Sequence, residues 1–181
     1  MYPVTLIATY YPKDSSTFTL LVKHGEVVAE MALAVAAKVS HLKPNRVLIE
    51  QAAFLHDIGI GQTDAPSLGC HGNQPYVCHG VFGRTIMEKQ GQNRIAMICE
   101  RHVGVGLTAT EIQSRKLPLP QRDMLPVTVE EQIICYADKF FSKTGPGAHH
   151  KKSFNDIILG LAQFGNGQVS RFGKLHERFG M

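Results

Sequence analysis

His56 and Asp57 stand side by side in Gln51-Ala-Ala-Phe-Leu-His-Asp-Ile-Gly-Ile60, two metal-ligating residue types placed where an apolar helical pattern ends. Imidazole and carboxylate together hold Zn, Fe, Mn or Co and leave positions open for water and substrate. From Arg46 to Ile58 the residues Val47, Leu48, Ala52, Phe54, Leu55 and Ile58 recur at helical spacing, and Gly59 supplies the residue type that most readily closes a helix. A histidine in the last turn suits the negative end of the helix dipole, whereas an aspartate there is unfavourable by about 0.3 kcal/mol or more. Something positive should compensate Asp57: a bound cation, or a lysine or arginine nearby.

Four further residues extend the pattern. The chain has nine histidines. His149 and His150 lie in a Gly/Pro/Lys-rich turn and His41 and His176 in polar surroundings, so these four read as surface residues, leaving His24, His56, His71, His79 and His102. Asp138 interrupts the apolar run Ile133-Ile-Cys-Tyr-Ala-Asp-Lys-Phe-Phe141. A buried carboxylate is costly unless paired or metal-bound. Each residue also has an ordinary reading, as a satisfied core or surface histidine, or as an Asp138 paired with Lys139 or Arg101.

The elements that must position these residues read as helices. The start of the chain reads as a short extended segment, and Ser15-Ser16 cap a helix over Thr17 to Val39 that carries His24. Pro44-Asn45 open a second helix ending at Gly59. Gly61 to Tyr76 reads as a loop of the long kind that is usually functional. A third helix over Gly80 to Lys89 follows His79, and a fourth runs from Gln92 to His102. Thr108-Ala-Thr-Glu111 and Thr128-Val-Glu-Glu131 match the capping box, the second opening a helix that places Asp138 in its middle and ends near Thr144-Gly145-Pro146. One or two helices follow Ser153, broken at Gly165 to Gly167. The class is all-α, a bundle of about six to eight helices in one domain over residues 1–181.

Composition narrows the function. A net charge of +4 without a basic run longer than Lys151-Lys152 falls short of a nucleic-acid footprint and suits a small anionic ligand. No apolar stretch reaches the roughly 20 residues of a membrane span, and Met1 to Tyr10 lacks a signal-peptide layout, so a cytoplasmic chain with no membrane contact is expected. Homo-oligomers remain open. The four cysteines form no C-x-x-C and read as reduced thiols.

The order His24, His56-Asp57, Asp138 resembles the signature of the HD-domain superfamily of metal-dependent phosphohydrolases. Leu-His-Asp-Ile-Gly59 is close to its core motif and Tyr-Ala-Asp-Lys139 to its distal one. Lys23-His24-Gly-Glu-Val-Val28 resembles the first motif, and His79-Gly-Val-Phe-Gly83 and Glu100-Arg-His102-Val-Gly104 resemble the two middle histidine motifs. The likeness covers roughly residues 20–145, with the helices of 153–180 packed on that core.

The resemblance implies a helical bundle in which His24, His56, Asp57 and Asp138 ligate one metal, and Asp57, His79 and His102 a second, bridged by Asp57. One or two divalent transition ions are expected, Fe, Mn, Zn or Co ahead of Mg. Two ions about 3.5–4 Å apart lower the pKa of a bridging water toward neutrality and present hydroxide to phosphorus. The implied reaction is hydrolysis of a phosphoester or phosphoanhydride bond in a small nucleotide-type substrate. The ligand set with the two middle histidines is similar to that of small HD hydrolases that split dinucleoside tetraphosphates, but Val103-Gly-Val-Gly-Leu-Thr108 replaces their threonine-rich stretch, so their substrate does not carry over. Arg101 and Lys139, neighbours of His102 and Asp138, are candidate phosphate contacts. Two other readings stand beside this one: a nucleotide-sensing protein with little turnover, and a structural zinc held by Cys70, His71, Cys78 and His79.

Overall fold

The computed structural model describes residues 2–145 and 150–180, so His149 and Pro146 lie outside the described residues. Nine α-helices are found among them: α1 (Pro3–Tyr10), α2 (Ser16–Lys38), α3 (Arg46–Leu55), α4 (His79–Lys89), α5 (Asn93–Arg101), α6 (Ala109–Ser114), α7 (Val129–Asp138), α8 (Phe154–Ala162) and α9 (Asn166–Phe179). The only sheet among these residues pairs β1 (Asp64–Ala65) antiparallel with β2 (Cys70–His71), inside the loop that follows the His-Asp doublet. The all-α class is borne out. No helix among the described residues is long and apolar enough to cross a membrane.

The helix that the sequence does not announce is α1, where an extended start is expected. Pro3 opens it with a preset φ and no N–H to satisfy, and Leu6 and Ile7 turn inward. Ser15 caps α2 by accepting from the Phe18 N–H at 3.1 Å, and Asn45 caps α3 by accepting from the Leu48 N–H at 3.0 Å. The buried face of α2 includes Leu21, His24, Val28, Ala32 and Val35, a helical stripe in which a histidine stands among apolar residues. This stripe packs on α3 and α7, while α4 lies along α5.

Two helix ends differ from expectation. The helix before the doublet stops at Leu55, and Gly59 does not terminate it: its φ of −85° is open to any residue. What Gly59 provides is space. A Cβ there would stand 2.1 Å from the His79 carbonyl oxygen and 2.3 Å from the Gly83 nitrogen, both backbone atoms of α4. Gly80 does the same on the other side of α4, where a Cβ would lie 2.6 Å from the Cys99 carbonyl oxygen of α5. The second difference is at α7, which ends at Asp138 and not near Thr144. Lys139, Phe140 and Phe141 donate to carbonyls three residues back, so the chain tightens and turns there.

The C-terminal helices grip this core. Gln168 of α9, buried, accepts from the Val105 N–H at 2.6 Å and donates to the Gly106 carbonyl at 2.8 Å, which pins the segment after His102. Arg171 donates to the Val105 and Gly106 carbonyls and forms an ion pair with Glu111, whose carboxylate also completes the capping box of Thr108. His176 is half-buried, not a surface residue: Phe154 lies against its ring and Tyr136 Oη is 2.9 Å from its Nδ1.

Because the atoms that face Gly59 are backbone, relief there requires α4 to move. Gly59→Ala is expected to destabilise the protein by about 3 kcal/mol or more. Urea denaturation measures it, and a loss below about 1 kcal/mol would mean that α4 does not depend on this contact.

Candidate metal centre

Three of the site histidines are set by one local rule. His56 Nδ1 donates to the Ala53 carbonyl at 2.8 Å, His79 Nδ1 to the Tyr76 carbonyl at 2.7 Å, and His102 Nδ1 to the Cys99 carbonyl at 2.8 Å, each three residues back. A carbonyl oxygen can only accept, so each Nδ1 carries a proton and each Nε2 is the atom turned toward the site, a free lone pair wherever the ring is neutral. The rule follows from position: His56 and His102 directly follow the last residues of α3 and α5, and His79 is the first of α4. At such ends carbonyls are available.

The Nε2 atoms converge. His79 Nε2 and His102 Nε2 face each other at 3.0 Å. Asp57 lies between two groups of nitrogens. Its Oδ2 is 3.0 Å from His56 Nε2 and 3.4 Å from His24 Nε2, and its Oδ1 is 3.3 Å from His79 Nε2 and 3.4 Å from His102 Nε2. Asp138 Oδ1 completes the first group, 2.9 Å from His24 Nε2 and 3.4 Å from His56 Nε2. All six residues are buried. His24, His56, Asp57 and Asp138 offer ligand atoms within 4.8 Å of one another, and so do Asp57, His79 and His102.

Two observations test whether a divalent cation fits. His56 Nε2 and both Asp57 carboxylate oxygens are buried without a hydrogen-bond partner, although they lie close to opposite charge. The donor set itself, imidazole nitrogen with carboxylate, matches transition-metal ions. The residues fit.

The electrostatics say the same in protons. Burial opposes the charge on Asp57 and Asp138, yet the surrounding cations hold both well below the ordinary carboxylate range: His56 and Lys143 act on Asp57, Lys139 and Lys143 on Asp138. Burial also opposes protonation of the histidines and prevails at His24 and His102, lowered to about 4. At His56 the two carboxylates overcome burial and hold it up at about 9. His56 is thus an imidazolium beside the neutral rings of His24 and His102.

Lys143 is the residue that sequence reasoning missed. Its Nζ lies 2.7 Å from Asp57 Oδ2 and 3.9 Å from Asp138 Oδ1, and the neighbouring anions hold its pKa above the usual value despite burial. The signal was present but faint: a lysine five residues after Asp138 counts only if the helix stops at Asp138.

Lys139 is where the sequence puts it, 2.7 Å from Asp138 Oδ2 and donating to the His102 carbonyl at 3.3 Å. Arg101 is elsewhere. Its Nη1 reaches both Glu131 oxygens, at 2.9 and 3.1 Å, and it does not line the cavity beside the cluster. Adjacent helical side chains diverge by about 100°, so the neighbour of an inward His102 points away. The guanidinium ties α5 to the first turn of α7.

The Cys/His zinc reading is not supported. Cys70 and Cys78 are buried in separate apolar clusters, their thiols directed at the Leu68 and Pro118 carbonyls, and His71 is exposed on β2. Among the described residues these four form no convergent group. The four cysteines are free thiols, as expected.

A cavity of about 530 Å³ opens beside the cluster, and His79, His102, Asp138, Lys139 and Lys143 form part of its lining. A protein named tRNA (cytidine(56)-2'-O)-methyltransferase from Picrophilus torridus is 34% identical over 173 residues, which cover 91% of this chain but 43% of that protein. An uncharacterised protein of Methanocaldococcus jannaschii is 36% identical over 127 residues, 68% of each chain. The crystal structure of the Listeria monocytogenes phosphodiesterase PgpH HD domain superposes with a TM-score of 0.55 at 17% identity, covering 98% of this chain and 94% of that one; a second structure of it is a complex with cyclic-di-AMP. At that identity the likeness speaks for the fold. The HD domain profile matches residues 12–142, a segment that contains every residue of the cluster except Lys143, and the chain belongs to the HD domain family.

Proposed function

We propose that the protein is a metal-dependent phosphohydrolase acting on a phosphoester or phosphoanhydride bond of a small nucleotide-type substrate. The observation that carries this reading is the pair of facing Nε2 atoms of His79 and His102, with Asp57 Oδ1 beside them. Both rings spend Nδ1 on a backbone carbonyl and turn Nε2 to the same point, where a cation would take a lone pair from each. His24, His56, Asp57 and Asp138 would hold one ion, and Asp57, His79 and His102 a second, with Asp57 contributing one oxygen to each. Bound there, divalent ions such as Fe, Mn, Zn or Co supply acidification of water and neutralisation of phosphoryl charge.

The remaining chemistry belongs to the chain. Lys143 and Lys139 present ammonium groups at the cavity wall, positioned to meet non-bridging phosphoryl oxygens. Lys143 holds its proton too tightly to donate it, so its contribution is charge and position. Tyr76, stacked on the His79 ring with centroids 4.5 Å apart, walls one side of the site and limits water around the ligand nitrogen. Glu131 and Arg101 act from outside by fixing α5 against α7, and hence His102 against Asp138.

The name carried by the longer relatives gives no second reading here. This chain spans 43% of the Picrophilus protein, and the cluster described above is suited to hydrolysis. A sensing role with slow turnover uses the same ligand set and separates from catalysis by rate alone.

Elemental analysis of purified protein, with a screen of nucleotides, dinucleoside polyphosphates and cyclic nucleotides for phosphate or nucleotide release, tests the proposal. Asp57→Ala is expected to strip metal from both groups and to lower turnover roughly 10³-fold. A variant that keeps full metal content and activity would sink the ligand assignment.

Proton and cation compete for the same atoms, which predicts a pH dependence for the chelated protein. His24 and His102 are lowered to about 4, so the unfolded chain takes up protons below pH 6.5 that the folded chain refuses, and stability falls with acidification. Asp57 and Asp138, held low, add to that loss as the pH drops through the unfolded carboxylate range near 3.9. His56 runs the other way: raised to about 9, its contribution is fully present below pH 6.5 and is lost only as the pH rises through 9. Urea denaturation in chelator is therefore expected to show a loss on the order of a few kcal/mol between pH 7 and pH 4. Constant stability over that window would contradict the burial of neutral His24 and His102.

A further inference from the structure

The cavity beside the metal centre has a second wall that the HD profile does not reach. The match ends at residue 142, whereas Lys143, Lys152, Ile157, Gly160, Leu161 and Phe164 all line the cavity from the chain that follows. A volume of about 530 Å³ is far more than one phosphate needs and lies within the range of pockets for whole small molecules.

The lining is graded along α8. Before its first turn, Lys152 shares the field of Asp138, Asp156, Lys139 and Lys143, so three lysines face two carboxylates at this end and an anion finds ammonium partners there. Beyond its last turn, Phe164 is 53% exposed, with the Arg115 guanidinium 5.5 Å above its ring. The nine residues of α8 rise about 13 Å between these two ends. An anion-binding end and an aromatic end separated by an apolar strip through Ile157 and Leu161 describe a ligand with a phosphate at one end and a flat ring at the other.

Gly160 supports the same conclusion by its place in the cavity wall. Glycine inside a helix costs about 1 kcal/mol relative to alanine. At Gly59 and Gly80 a close backbone approach explains the glycine; at Gly160 a Cβ would meet nothing within 4 Å and φ is not positive. The fold does not require a glycine there. A bare helix surface facing the cavity is what a flat ligand lying along α8 requires.

We infer that α8 is the specificity wall of the site, seating the base of a nucleotide against Gly160 and Phe164 while its phosphate lies at Lys139, Lys143 and Lys152. This rests on the phosphohydrolase reading for the phosphate end only. The ring end stands on the Phe164–Arg115 pair and on Gly160.

Gly160→Leu fills the strip and Phe164→Ala removes the ring surface. For both, the ratio of kcat/KM for AMP, ADP and ATP to that for glycerol phosphate, which has no ring, is expected to fall about tenfold through KM, and nucleotide affinity measured by calorimetry to fall by a similar factor. Gly173→Ala, at an open helical glycine of α9 outside the cavity, should leave both unchanged. Thermal melting checks the fold, and if Gly160→Leu does not fold, the exposed Phe164 decides. Wild-type protein that binds or cleaves nucleotides no better than glycerol phosphate overturns the inference while leaving the hydrolase reading intact, and so do variants with an unchanged ratio. Nucleotide binding that weakens in the variants, from a protein that cleaves none of these compounds, upholds the wall and overturns the hydrolase reading.

Discussion

Asp57 is a carboxylate with 1% of its side chain exposed, placed between two groups of imidazole nitrogens, and the surrounding architecture answers to that charge. Removing a carboxylate from water costs several kcal/mol even after relaxation, against a total stability of about 5–15 kcal/mol for an ordinary domain. Asp138, also buried, doubles the cost. Two such groups persist only where cationic partners surround them. The fold meets this with a protonated His56, with Lys139 and Lys143 from the turn after α7, and with lone pairs arranged so that divalent cations can take over the compensation.

That arrangement depends on backbone geometry more than on side-chain packing. The histidines are oriented by carbonyls three residues earlier, a device available only at helix ends, and three of them are at helix ends. Bringing those ends together demands close approach of α4 to both its neighbours, which Gly59 and Gly80 permit. The glycines and the histidines are therefore one design: without the first, the Nε2 atoms of His79 and His102 could not both reach Oδ1 of Asp57.

Much of this was legible in the sequence because chemistry and periodicity leave independent traces. An aspartate in Ile133-Ile-Cys-Tyr-Ala-Asp and a histidine in the apolar face of α2 contradict their surroundings, and contradiction is readable. Lys143 contradicts nothing. It stands in a polar Ser-Lys-Thr-Gly stretch that reads as solvated loop, and its burial follows from α7 ending at Asp138, a boundary that apolar Phe140 and Phe141 disguise by continuing the helical pattern. Arg101 shows the opposite error, since adjacency to His102 suggests proximity where the helix turn enforces divergence. Gly59 sits where a helix-closing glycine would, and only the coordinates of α4 reveal that it is there for clearance.

The distribution of these features along the chain separates two tasks. Everything that compensates Asp57 and Asp138, apart from Lys143, falls within residues shared with the HD domain family, and those residues are interlocked: changing one ligand strands the charge of another. The wall along α8 is under no such constraint. It packs on α9, which in turn packs on α7, and none of its residues belongs to either group of His and Asp ligand atoms. A site built this way can keep its metal chemistry fixed while the ligand it accepts is altered by one helix.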